Sequence, residues 1–117
     1  MTTSNSNLVD QLPTTIRGFL TAHVARDVDA ALHLFTPTAV VVDNDTTYRG
    51  TEEIRDFVAT AGAEFTYTVT LLAVEHTDDA HWVTTHRVEG DFPGGVVDLR
   101  YRFVIDGDLV RELVIAP

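Results

Sequence analysis

The sequence predicts an α+β domain: a curved antiparallel sheet packed against three N-terminal helices. Two observations carry this. Apolar residues recur at helical spacing through the first half of the chain, and beyond Gly62 the period changes to two over four long segments joined by Asp, Gly and Pro turns. Helices first and strands afterwards is the α+β order. A long sheet curled over helices on its apolar face forms a cone whose open end is an apolar pocket. At 117 residues and 44% hydrophobic content the chain fits one domain, 11–117, behind a polar leader, 1–10, that reads as disordered.

The elements follow in order. Leu12, Ile16, Phe19, Leu20 and Val24 form the stripe of a first helix over 12–25, with Pro13 tolerated in its first turn. Asp27 caps a short second helix whose stripe is Val28, Ala31, Leu32 and Phe35 until Pro37 stops it, and the two helices pack as a hairpin. A strand over 38–43, Val-rich and ending on Asp43, leads into a turn-rich loop over 44–50. Thr51 is the N-cap of a third helix that runs to about Ala61 and ends at Gly62. Strands over 65–76, 81–92, 96–105 and 109–115 are joined by turns at Asp78-Asp79, Pro93-Gly94-Gly95 and Asp106-Gly107-Asp108, which makes an antiparallel meander.

Alternation assigns the faces. Trp82, Thr84, His86 and Val88 share one side of their strand; Val83, Thr85, Arg87 and Glu89 share the other. Val97, Leu99, Tyr101, Phe103 and Ile105 oppose Asp98, Arg100 and Arg102 on the next strand. The inner face is apolar with one histidine, and the outer face is charged and suited to cross-strand pairing or to a second subunit. The pattern Leu109, Leu113, Ile115 turns Glu112 outward.

Composition narrows the chemistry. Eighteen acidic against eight basic residues give a net charge of −10, which disfavours nucleic acid and anionic membrane surfaces as partners. There is no cysteine, every basic residue is arginine, and serine occurs only as Ser4 and Ser6. Thiol nucleophiles, thiolate metal sites, Schiff bases and a serine triad are therefore ruled out. No histidine spacing resembles a metal-ligand set, so no metal or other cofactor is expected. Neither a signal-like leader nor an apolar run of about 20 residues is present, and the expected location is the cytoplasm. Asp, Glu, His, Tyr and Thr remain as groups that can move protons.

The segment 27–35, the acidic strand end at Asp43, Gly50 ahead of Glu53-Ile54-Arg55-Asp56-Phe57, and the closing Ile105-Asp106-Gly107-Asp108-Leu109-Val110 resemble the nuclear transport factor 2-like superfamily. Within it the chain is similar to small SnoaL-like polyketide-cyclase and ketosteroid-isomerase-like proteins, from Leu12 onward. The isomerase pattern implies a general base at Asp43. It also implies an oxyanion-binding tyrosine where this chain has Phe19 and a protonated aspartate where it has Leu99, so both family donors are replaced by apolar residues. The epoxide-hydrolase pattern is met in part by Arg87-Val88-Glu89, but its C-terminal acid falls at Val114. The resemblance also turns Glu112, Val114 and Ala116 toward a ligand, against the alternation, and implies a homodimer through the outer sheet face.

Asp43 and His86 are thus the candidate catalytic pair: a carboxylate at the mouth of an apolar pocket and a neutral imidazole to shuttle or orient its proton. Phe19, His23, Tyr48, Phe57, Trp82, Thr84, Val88, Leu99 and Tyr101 are the candidate binding residues, with Phe92 as a further wall. The expected activity is cofactor-independent proton abstraction from a small apolar carbonyl compound, of isomerase or cyclase type. The alternative is the same fold binding a hydrophobic molecule, or pairing with a second copy, without chemistry.

Overall fold

The computed structural model describes residues 8–117; most of the leader, 1–7, lies outside the described residues. Its last residues do not match the expectation for a leader. Residues 8–10 form a helical turn in which the Leu8 carbonyl accepts from Gln11 N–H (3.1 Å), and Leu8 packs against the core.

Helix α1 (Thr14–Ala25) buries Thr15, Ile16, Phe19, Ala22 and His23, a stripe repeating every three to four residues. Val24, expected in that stripe, is 58% exposed, because it falls one position past His23 and turns off the buried face. The helix ends at Arg26, a non-glycine residue in the left-handed region (φ 58°). Asp27 then caps α2 (Val28–Leu32) by accepting the Ala30 N–H at 3.2 Å. This helix is shorter than the periodicity suggests. Phe35 and Pro37 belong instead to strand β1 (Phe35–Asp43). Pro37 is tolerated there because the β1 ladder is interrupted between Phe35 and Val40, where a missing N–H breaks no pair.

The loop expected after Asp43 is a tight hairpin. Asn44 adopts φ 54° and its N–H reaches the Ile115 carbonyl (2.9 Å), so β2 (Thr46–Arg49) returns directly along β1. Gly50, at φ 79°, turns the chain into α3 (Gly50–Thr60). Thr51 is therefore inside the helix and not its cap. Arg49 holds the cap position, and its N–H donates to Glu53 Oε1 at 2.8 Å. Ile54, Phe57 and Val58 are the buried face of α3.

The meander β3 (Tyr67–His76), β4 (His81–Gly90), β5 (Val96–Asp106) and β6 (Leu109–Ala116) has the expected turns. Its first ladder ends at Tyr67 opposite Gly90, short of the Phe65 and Phe92 expected in it. There Asp91 takes over, its carboxylate accepting the Thr66 N–H at 2.8 Å. Phe65 and Phe92 meet edge to face beyond the ladder, ring centroids 6.0 Å apart.

The six strands form one sheet in the order β2-β1-β6-β5-β4-β3. All neighbours are antiparallel except β1 and β6, which run parallel. The sheet curls without closing around the helices, with Phe19, Phe57, Phe103, Ile16, Ile54 and Leu113 fully buried between the layers. The inner and outer faces of β4 and β5 are those the alternation assigns. On the outer face Arg87 pairs with Asp98 in two hydrogen bonds, 2.9 and 3.2 Å. In β6 a register shift opposite Val104/Ile105 makes Val110, not Leu109, the buried partner of Leu113, and Glu112 is exposed. Among the described residues no helix is long and apolar enough to cross a membrane.

Candidate functional site

A cavity of about 610 Å³ opens at the wide end of the cone, between α1, the end of β1 and the inner face of the meander. Register explains which side chains meet there. Asp43 is the cross-strand partner of Ile115, Ile115 of Tyr101 and Tyr101 of Thr84, so these four residues form one row on the inner face. The neighbouring row is Leu99, His86 and Leu71, and the next Val97, Val88 and Val69.

Asp43, His86, His23, Val88, Leu99 and Tyr101 line this cavity. Five other expected residues do not. Phe19 and Phe57 are fully buried behind it, where they sandwich the His23 ring at 5.3 and 5.1 Å, both 12° from parallel. Tyr48 packs on Phe57 (5.3 Å) and is not among the lining residues. Thr84 ends the row at 0% exposure, hydrogen-bonded to His86 Nε2 at 2.8 Å. Trp82 is at the far end of β4, stacked on His76 (4.2 Å, 11°), with its indole N–H donating to the Asp79 carbonyl. For Trp82 and Thr84 the reason is that sharing a sheet face fixes the direction of a side chain but not its distance from the opening.

Several lining residues were not anticipated: Tyr67, Val69 and Leu71 from β3, Leu20 from α1, Phe65 and Asn44. The β3 set alternates at period two, so its common face was legible; which of its two faces was inward was not.

The chain from residue 16 to 110 matches the family model described as a SnoaL-like domain. This protein belongs to that family. A candidate polyketide cyclase from Sinorhizobium meliloti is 28% identical to this SnoaL-like domain, with TM-score 0.85 over 92% of this chain and 98% of that one. A Catenulispora acidiphila protein with a ketosteroid isomerase-like fold, solved with trimethylamine, is 18% identical (TM-score 0.76; 90% and 85% covered). A Mycobacterium tuberculosis protein solved with estradiol-17β-hemisuccinate is 15% identical (TM-score 0.72; 88% and 90% covered). The last two likenesses bear on the fold alone, which is ketosteroid isomerase-like. No curated protein matches the chain.

The electrostatics of this SnoaL-like pocket follow from its apolar walls. Burial raises the Asp43 pKa above its ordinary 3.8. Burial, with Asp43 and Tyr67 adding negative potential, also raises the Tyr101 phenol, so it stays protonated at all ordinary pH. His86 is lowered to about 4 by burial, and His23 to about 4 by burial and the nearby Arg26 and His86, so both imidazoles are neutral at pH 7. Each leaves its Nδ1 buried without a hydrogen-bond partner among the described residues. The His86 ring leans on Tyr101 at 4.6 Å and 57°. One ionisable carboxylate and one protonated phenol thus share a largely apolar cavity with two uncharged imidazoles.

Proposed function

We propose that this SnoaL-like domain is a cofactor-independent enzyme that moves a proton on the carbon next to the carbonyl of a small apolar compound. The observation that supports this best is the row Asp43, Ile115, Tyr101: a carboxylate and a phenol on one face, two strands apart, flanking an apolar floor. Adjacent strands lie about 4.8 Å apart, so the two backbones are about 10 Å apart, enough to seat one substrate carbonyl and its α-carbon between their side chains.

In this reading the Asp43 carboxylate takes the α-proton. The C–H electron pair becomes the C=C bond of an enolate, and the carbonyl π pair moves onto oxygen. Tyr101 donates its O–H to that oxygen in place of the two family donors replaced by Phe19 and Leu99. His86, neutral and seated on Thr84, fixes the Tyr101 ring. Where a C=C is conjugated with the enolate, the proton returns from Asp43 to the γ-carbon as the oxygen pair re-forms the carbonyl, an isomerisation; otherwise the enolate carbon attacks a second carbonyl, whose oxygen takes the Asp43 proton, a cyclisation. The domain acts in the cytoplasm as a homodimer through its charged outer face.

The test is deuterium exchange at the α-carbon of 2-tetralone in D₂O, followed by proton NMR. The native protein should exceed the buffer rate, and Asp43→Asn should lose at least about 100-fold of that rate. Exchange no faster than buffer would sink the enzyme reading. Saturable shifts of 2-tetralone without exchange would then favour the second reading, a hydrophobic-ligand binder, which the predominantly apolar lining also supports.

A further inference from the structure

Arg26 occupies a left-handed conformation (φ 58°) that non-glycine residues rarely adopt, at the end of α1. Its guanidinium holds it there. Nη1 donates to the Val58 carbonyl and Nη2 to the Tyr67 hydroxyl, both at 3.0 Å, which ties the ends of α1 and α3 to the start of β3. A phenol that accepts from a guanidinium has its own hydrogen turned elsewhere and strengthened as a donor. Tyr67 lines the cavity. Gly90 makes this possible: a Cβ there would lie 2.6 Å from Tyr67 Cβ and against the Thr66 carbonyl, so only glycine lets Tyr67 cross the sheet so closely.

This places two phenol donors in one cavity with opposite charges beside them, a guanidinium on Tyr67 and a carboxylate in the row of Tyr101. Tyr101 shares its row with Asp43, whereas Tyr67 faces Gly90, six residues along β4 from Thr84 in that row. A carboxylate on a ligand is repelled from the Asp43 end and attracted to the Arg26 end. We propose that the pocket takes apolar molecules carrying a carboxylate, with the carboxylate on the Tyr67 hydroxyl backed by Arg26 and the apolar body directed toward Tyr101. Tyr67 is the binding residue and Arg26 its positioning residue. The proposal builds on the function argued above, because it fixes which end of the substrate reaches Asp43.

The experiment compares 2-naphthoate with 2-acetylnaphthalene, which share a shape and differ by one charge, by calorimetric titration at pH 8. The native protein should bind the carboxylate at least tenfold tighter. Tyr67→Phe and Arg26→Gln should each bring the ratio near one, and the double variant should change it no further. The Tyr67 Cζ carbon resonance should move in Arg26→Gln, which a purely structural role for Arg26 would leave in place. Tyr67→Phe keeps the ring against Gly90 and decides alone if Arg26→Gln does not fold. Equal affinity for the two probes, no binding of either, or a preference that survives Tyr67→Phe would each overturn the proposal. Because the readout is binding, it stands apart from the base: native protein that exchanges 2-tetralone protons no faster than buffer defeats the enzyme reading and leaves the naphthoate preference intact.

Discussion

Asp43 and Tyr101 flank Ile115 in one cross-strand row, and burial keeps the first a weaker acid than usual and the second protonated. Proton exchange on 2-tetralone should therefore rise with pH as Asp43 ionises above its ordinary 3.8, then stay level past pH 10, because the phenol does not ionise there. Neutral imidazoles add no step near pH 6.5. Tyr101→Phe should lower the rate by about 10² and leave the pH of the acid limb in place. A pH-rate profile of the native protein and this variant checks both.

His23, held between two phenyl rings, makes a prediction about stability. Its pKa and that of His86 fall from 6.5 in the unfolded chain to about 4 in the folded one. As pH drops through 6.5 the unfolded chain takes up protons that the folded one refuses, so stability is lost between pH 6.5 and 4, by about 3 kcal/mol for each histidine. Asp43, whose pKa is raised, acts the other way and returns part of this as pH falls. His23→Leu should remove about half of the acid-side loss and cost little at pH 7.5, since it deletes a buried nitrogen without a partner. Urea unfolding at pH 7.5 and pH 5 measures it.

Phe57 and Leu99 were both expected as pocket walls, and only Leu99 is one. Phe57→Ala should cost about 3–5 kcal/mol of stability, because the ring is fully buried against His23. Leu99→Ala should cost about 1–2 kcal/mol, since its side chain already borders open space, and should increase the affinity for bulkier naphthalenes. Thermal unfolding and titration separate the two effects.

Gly90→Ala forces apart two backbones in contact, with the new methyl 2.6 Å from Tyr67 Cβ. A loss of about 2–3 kcal/mol is expected from overpacking. The displaced Tyr67 should also lose its hydrogen bond to Arg26, visible as a shift of the Tyr67 phenol carbon by NMR.

What the sequence made legible was local. The turns at Asp78, Gly94 and Gly107 and the faces of β4 and β5 were readable because turn chemistry and a period of two are written in adjacent residues. The pairing of β1 with β6 was not, since it joins segments some 70 residues apart and leaves no mark in either. Pro37 misled for the same reason: it ends helices, yet here it sits where a strand ladder happens to be broken. Asp43, His86 and Leu99 were recognisable as cavity residues from strand position and parity. Tyr67 was not, because its reach depends on the absence of a side chain at Gly90 and on a guanidinium 41 positions earlier in the chain.

Strand β6, the last to be made, lies between β1 and β5 in the interior of the sheet. During synthesis β1 and β2 can pair with each other, but β1 has no second neighbour in the sheet until residues 109–116 have emerged. The pair β2-β1 and the set β5-β4-β3 should therefore remain separate in any ribosome-bound chain stalled before Leu109.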